Sequence, residues 1–514
     1  MNNIIKKELY TNKTYIYLSI LISILTILPQ FVFSPSIEHS IYLIITFVLL
    51  VILPKFSKIL FSIFIIFINL SNIIIGHISL HWGYNVADIS PRIEVAVLSP
   101  TSESTEYIST YISYMDFSII LYVGLNLFLL YKFLMHSKHS FKVIKIIALG
   151  VFTSIIIAIS FYKNPIKNIE PFSIPDKIIR IVKNKEFEQH TLERSNNLSK
   201  IKIKIVDKKN LIYDKVIVVM GESVNKHHMS IYDYKIKTTP FLASLKKLDK
   251  LYIFNAIAPS NQTMYSVPIN LTKANVHNYL DLYLHSYSIL SEFKVNNYTT
   301  YWISNQARVG KYDSITSAMA NEANIQIFAN SKHSDAKTDD VVLDYLDKFH
   351  KKQTKEMYLV HLMGSHSSYN KRYTEDLSIF KKAQNIDEEY DNSIYYTDYI
   401  LSQIYNKFKD EKLLLIYLSD HGEIINSQRH GHGFLPPYKD EYDVPFVIYS
   451  SIKNPRLDEL YKENKKGYFN LENFNYITNY ISGISDENNI SYSSNIFALE
   501  PKNIFNYNNI EFYK

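Results

Sequence analysis

The 514-residue chain contains no cysteine and only 12 glycines. Without cysteine there can be no disulfide framework, no cysteine-ligated zinc or iron–sulfur centre and no thiol nucleophile. Glycine, at about 2% of residues, falls well below the usual ~7%. A codon bias towards Ile, Asn, Lys and Tyr accounts for the overall shortage. It also makes each retained glycine a marker of backbone that other residues fit poorly. The formal charge of +6 is small for this length. No basic cluster with interleaved aromatics is present, so a nucleic-acid partner is not expected. The length implies two to four domains.

The 47% hydrophobic content hides two populations. Residues 1–162 are dominated by apolar runs, about Tyr15–Phe33, Ile37–Leu53, Ile59–Ile78, Phe117–Met135 and Val143–Tyr162. Each approaches the ~20 residues a membrane helix needs. The second is weakest, with Glu38 near its start, and a buried or re-entrant segment is its alternative. With the N-terminus inside, Lys6, Lys7, Lys13, Lys55, Lys58, Lys132, Lys138, Lys142 and Lys145 fall on inner segments or adjoining span ends. The outer segments hold only Arg92. This asymmetry predicts five spans, N-terminus in and C-terminus out. Everything after Tyr162 is then expected outside the cytoplasm. Residues 163–212 read as a linker, in which Asp176–Leu192 has the pattern of an amphipathic interfacial helix.

From residue 213 to 514 the pattern is that of a soluble α/β domain. Apolar runs at Lys215–Met220, Thr299–Ile303, Met357–Met363, Leu413–Leu418 and Val444–Tyr449 predict strands buried on both faces, as in a parallel sheet. Helical stretches are expected at Thr239–Lys250, Asp339–Lys351 and Asp391–Lys409. The Asn-rich segment after residue 470 carries no clear pattern.

Ligands of open α/β sheets bind beyond the C-terminal ends of the strands. There the sequence reads Gly221-Glu222-Ser223, Gly364-Ser365-His366 and Ser419-Asp420-His421-Gly422-Glu423, followed by Arg429-His430-Gly431-His432-Gly433. Carboxylates and imidazoles without thiols suit zinc or manganese. Asp420 and His421 can ligate from one turn and Glu222 from another strand end. The nucleophile candidates are hydroxyls, Ser223 or Thr263, and spacing does not choose between them.

These residues, with His228–Tyr234, Thr238-Thr239-Pro240 and Thr263–Pro268 (TMYSVP), resemble the bacterial phosphoethanolamine transferases that modify lipopolysaccharide. That family lies in the alkaline phosphatase/sulfatase superfamily. The resemblance implies a five-helix transmembrane domain in the inner membrane followed by a periplasmic α/β/α sandwich. It implies Thr263 as nucleophile and a zinc site of Glu222, Thr263, Asp420 and His421, with room for a second metal. His366 and either His430 or His432 would meet substrate phosphate or that second metal. Lys311, with Arg308 behind it, would contact substrate. The implied donor is phosphatidylethanolamine and the acceptor lipopolysaccharide, at lipid A or a core sugar. Gly-Glu-Ser, where many lipid A-modifying members have Gly-Glu-Thr, points towards a core sugar. The best-studied members flank the nucleophile loop with a disulfide. With no cysteine, packing of Tyr265 and Pro268 is expected to restrain it here. A phosphoglycerol transferase of the same superfamily, using manganese, is the alternative. A sulfatase-type oxidised nucleophile is not expected, because Ser266-Val267-Pro268 lacks the following x-Arg.

Overall fold

The structure is a computed structural model. It describes residues 17–24, 124–129, 131–132, 193–203, 205–306, 318–329, 338–426, 429–487 and 489–513. The chain divides into two compact units, Met1–Glu94 with Tyr107–Asn184, and Val95–Glu106 with Lys185–Lys514. In the first, residues 17–24, 124–129 and 131–132 are α-helical and fall within the first and fourth expected spans. The rest of the five spans and the expected helix at Asp176–Leu192 lie outside the described residues. Among the described residues, no helix is long and apolar enough to cross a membrane.

The second unit is built on an eight-stranded sheet in the order β4-β3-β5-β1-β6-β7-β2-β8. The central strands are β1 (Lys215–Gly221), β5 (Glu356–His361), β6 (Leu413–Ser419) and β3 (Thr299–Ser304). They pair in parallel, Val218 facing Leu359 on one side and Ile416 on the other. The remaining strands are β2 (Leu251–Ile257), β4 (Ile325–Phe328), β7 (Asp443–Ser450) and β8 (Phe469–Asn470). Successive side chains alternate between two cores. Val216, Val218 and Met220 join Leu414, Ile416 and Leu418 on one face. Ile217 and Val219 join Leu413, Leu415 and Tyr417 on the other. Both faces are buried, which is why these strands read as unbroken apolar runs.

Helices α2 (Thr263–Leu271), α3 (Tyr279–His285), α4 (Ile289–Val295), α7 (Pro455–Asn464) and α8 (Phe474–Ser482) cover the first face. Helices α1 (Pro240–Lys246), α5 (Val341–Phe349) and α6 (Ile386–Phe408) cover the second. The result is a three-layer α/β/α sandwich. Arg194 also packs onto this unit, against the Tyr283 ring and carbonyl and paired with Glu322 at 2.6 Å.

The expectation of a parallel sheet needs correction: β7 runs antiparallel to both β6 and β2. A parallel return requires a crossover. Among the described residues, the chain between β6 and β7 contains only turns, bridges and one short 3-10 helix. It stays at the C-terminal edge of β6, so β7 starts there and runs back. β2, antiparallel to β7, regains the direction of β1. It therefore also delivers its following loop to the edge where β1, β3, β5 and β6 end.

Candidate active site and metal centre

Two turns at this edge depend on glycine. Gly364 lies at φ +52, and a side chain there would collide with the backbone nitrogen of Glu222 at 2.7 Å. A Cβ on Gly422 would sit 2.2 Å from the Asp440 carbonyl. Ser223, at φ 59, holds the left-handed region without being glycine. Non-glycine residues rarely adopt this conformation, and it recurs at functional sites.

The turns bring four side chains together. Thr263 is the first residue of α2, where unpaired backbone N–H groups favour negative charge. Its Oγ1 donates to Glu222 Oε1 at 2.9 Å and lies 3.1 Å from His421 Nε2. His421 Nε2 is 3.1 Å from Glu222 Oε1 and 3.5 Å from Asp420 Oδ2. His421 Nδ1 donates to the Gly422 carbonyl at 2.9 Å, which turns Nε2 into the cluster. Asp420 Oδ1 accepts from the backbone N–H groups of His421 (2.8 Å) and Ser223 (3.3 Å). Asp420 Oδ2 is buried with no well-formed hydrogen bond.

This donor set fits a divalent cation. Glu222, Asp420 and His421 offer ligand atoms within 4.8 Å of one another, and a carboxylate oxygen stripped of water needs a positive partner. The electrostatics agree. Burial and the charge of Glu222 push Asp420 up to about 7. Burial alone would lower His421, but Asp420 and Glu222 outweigh it and lift it to about 10. Burial would raise Glu222, yet the hydrogen bond and charge of His421 hold it well below the usual carboxylate range. An imidazolium thus supplies the positive charge that a metal would otherwise provide.

A second group adjoins the first. Ile424 and Gly431 exchange backbone hydrogen bonds at 2.9 and 3.0 Å, folding the chain back. His432 thereby meets Glu423, Nδ1 to Oε2 at 2.6 Å, and its ring lies 4.0 Å from that of His421. Glu423 is pushed up to about 7 by burial, against the hydrogen bond from Tyr369. The charge of His366 acts on both Glu222 and Glu423. His430 lies in the same loop, half-buried. Lys311 and Arg308 lie outside the described residues.

Sequence reasoning missed two contacts. Gln306, two residues beyond β3, donates to Glu222 Oε2 at 3.0 Å and the Leu362 carbonyl at 3.2 Å. Asp339 accepts from the backbone of Met363 and Gly364, each at 2.9 Å, and fixes the turn before His366. Gln306 was reachable by the same strand-end rule that singled out Glu222; Asp339 was not.

The loop that leads into Thr263 is restrained without a disulfide. The Tyr265 ring packs edge-on against Tyr279 (5.3 Å) and Phe497 (5.2 Å). Pro268 is buried within α2. Asn261 donates to Glu441 Oε1 at 2.9 Å and to the Phe434 carbonyl at 3.2 Å, and accepts from Leu499 N at 3.1 Å.

The sulfatase family model matches residues 214–478, which is more than half of the chain. The chain belongs to the sulfatase family. Among curated proteins, it is 28% identical over 283 residues to the putative transferase YhbX of Escherichia coli K12, covering 53% of this chain and 49% of that protein. It is 29% identical over 259 residues to phosphoethanolamine transferase EptA of Helicobacter pylori, covering 46% and 47%. The chain thus matches about half the length of these relatives. The zinc complex of the periplasmic domain of E. coli EptC superposes with a TM-score of 0.51 at 22% identity, covering 60% of this chain and 98% of that one. The integral membrane protein EptA of Neisseria meningitidis superposes with a TM-score of 0.59 at 15% identity, covering 91% and 95%. These likenesses support the alkaline phosphatase/sulfatase type of fold.

Proposed function

We propose that the protein is a membrane-bound, metal-dependent transferase that moves phosphoethanolamine from phosphatidylethanolamine to lipopolysaccharide, through a covalent intermediate on Thr263. The observation that carries this reading is the position of the Thr263 hydroxyl. It sits at a helix N-terminus, 2.9 Å from Glu222 and 3.1 Å from His421, beside an unsatisfied Asp420 oxygen. Relatives named phosphoethanolamine transferases support the choice of group. A relative named Kdo(2)-lipid A phosphoethanolamine 7''-transferase supports a lipopolysaccharide acceptor. The apolar N-terminal half would hold the enzyme in the bacterial inner membrane beside its lipid donor, with the catalytic domain in the periplasm.

Glu222, Thr263, Asp420 and His421 would hold zinc, which when bound lowers the proton affinity of a hydroxyl and offsets charge on phosphoryl oxygens. The chain's own residues do the rest. The N-terminus of α2 faces the phosphate. Gln306 and the Gly364 turn fix Glu222. Buried Asn261 anchors the loop so that Thr263 need not reorganise during attack. Lys311, His366 and His432 would contact the phosphate. The test is transfer from radiolabelled lipids to purified lipopolysaccharide. Transfer of phosphoethanolamine, lost in Thr263→Ala, is the expected result. Transfer of phosphoglycerol instead, or of neither group, would refute the reading.

A further inference from the structure

The two carboxylates of the candidate metal centre each have one oxygen committed to protein N–H groups. Glu222 Oε1 faces the cluster, where it meets Thr263 Oγ1 at 2.9 Å, His421 Nε2 at 3.1 Å and Ser223 Oγ at 3.3 Å. Glu222 Oε2 instead accepts from Gln306 Nε2 at 3.0 Å. The same amide nitrogen donates to the Leu362 carbonyl at 3.2 Å. Its orientation is thereby fixed, because a turned-over amide would set its oxygen against two acceptors. Backbone contacts hold both sides of this link. Gln306 N donates to Ser304 Oγ at 3.0 Å, at the end of β3. Leu362 N donates to the Met220 carbonyl of β1 at 2.9 Å. Asp420 is divided in the same way. Its Oδ1 accepts from the backbone of His421 and Ser223, while its Oδ2 is buried without a well-formed hydrogen bond. The donors left for a cation are therefore single atoms: Glu222 Oε1, Asp420 Oδ2, His421 Nε2 and Thr263 Oγ1.

We propose that Gln306 is a positioning residue that sets the metal preference of this site: by holding Glu222 Oε2 it limits Glu222 to one ligand oxygen, and so favours zinc over manganese. The inference rests on the metal-dependent reading above. Zinc takes nitrogen and oxygen donors in tetrahedral sites, which a small set of single atoms suits. Manganese prefers an octahedral shell of oxygens. Carboxylates can bind hard cations through one oxygen or both, and the second oxygen helps to fill such a shell. The restraint on Asp420 comes from main-chain N–H groups, which no side-chain substitution removes. The restraint on Glu222 comes from one half-buried side chain, Gln306. It stands at the end of β3, a strand that supplies none of the donors. The choice between cations therefore turns on a residue that is not itself a ligand, acting through the orientation of one that is.

The test is competition between zinc and manganese for the full-length protein in detergent, read by elemental analysis of the bound metal after equilibrium dialysis. Gln306→Met keeps the length of the side chain and removes both N–H donors. Its zinc affinity should fall by about tenfold or more, the range for losing a hydrogen bond to a metal ligand. Its manganese affinity should hold or rise, so the preference for zinc over manganese should drop by at least about tenfold. A residue that only braced the fold would weaken both metals alike. Equal losses for the two metals, or an unchanged ratio, would overturn the proposal. If Gln306→Met fails to fold, Gln306→Asn serves instead. Its amide is one methylene too short to hold Glu222 and Leu362 together, and the same shift in ratio is expected; equal losses would again overturn the proposal. Wild-type protein that prefers manganese would overturn it too. Zinc-loaded wild-type enzyme that transfers no group would refute the phosphotransfer reading alone, since the competition does not depend on turnover, and so the two failures are distinguishable.

Discussion

The two edges of the sheet both bury ionisable side chains, and they do so in opposite ways. At the N-terminal edge, buried Lys215 donates to the carbonyls of Lys351 (2.6 Å) and Thr354 (2.7 Å). It also pairs with Glu356 at 2.9 Å and Glu411 at 3.4 Å. His350 reaches Glu411 at 3.1 Å, while Tyr358 and Lys351 N satisfy Glu356. Here a lysine balances carboxylates. At the C-terminal edge, Glu222, Asp420 and Glu423 are ion-paired, among the described residues, only with imidazoles. One Asp420 oxygen lacks a good partner. Charge balance thus separates a cluster that is neutralised by its own lysine from one whose donor set fits a cation.

Variants at the two edges should move stability in opposite directions. The largest effect is expected from Lys215→Met, which strands two carboxylates. Breaking a buried pair from one side costs about 3–5 kcal/mol, measurable by urea unfolding. The molecules that remain folded should bind zinc normally. Loss of zinc binding without loss of stability would dissolve the comparison.

His350, ahead of β5, and His361, its last residue, give a second contrast. His350 has carboxylate partners, whereas His361 is fully buried with both ring nitrogens unpartnered. Burial lowers His361 to about 4, against a smaller opposing effect of Glu222. Its folded pKa lies below the unfolded value. Its stabilising contribution is therefore complete above about 6.5 and lost as pH falls through 4. The difference is about 3 kcal/mol. His361→Gln should flatten the stability profile over that window; an unchanged acid limb would argue against a neutral buried His361.

Asp420→Asn should act in the opposite sense to Lys215→Met. It removes a charge repelled by Glu222, so metal-free protein should gain about 1–2 kcal/mol while zinc affinity falls. A destabilised metal-free variant would mean that this edge is as balanced as the other. The smallest effect is expected from Ser223→Ala. Its Oγ is only a weak donor to Glu222, at 3.3 Å, so turnover should change by less than about threefold, within the spread of a weak neutral hydrogen bond.

The central strands were legible because burial on both faces leaves apolar runs with sharp polar ends. β2 and β4 were not. Leu251–Ile257 mixes half-buried, buried and exposed positions, and Ile325–Phe328 is half-buried throughout. The reversal of β7 was hidden too, since residue pattern carries no direction. Glu222, Asp420 and His421 stood out at strand ends, whereas choosing Thr263 over Ser223 took the family resemblance. What anchors Thr263 was out of reach of spacing arguments. Phe497 and Leu499 come from the segment that carried no pattern, more than 200 residues away in sequence. Tyr369 on Glu423 is likewise a tertiary contact. Of His430 and His432, it is His432 that the Ile424–Gly431 bridge places on Glu423, a contact that spacing could not show.

The most direct test of the account is mass spectrometry of the peptide bearing Thr263, after the full-length protein has been incubated with zinc and phosphatidylethanolamine. A single phosphoethanolamine group on Thr263, absent after chelation and in Asp420→Asn, is the predicted result. An adduct on Ser223, or an adduct that forms equally well without metal, would contradict it.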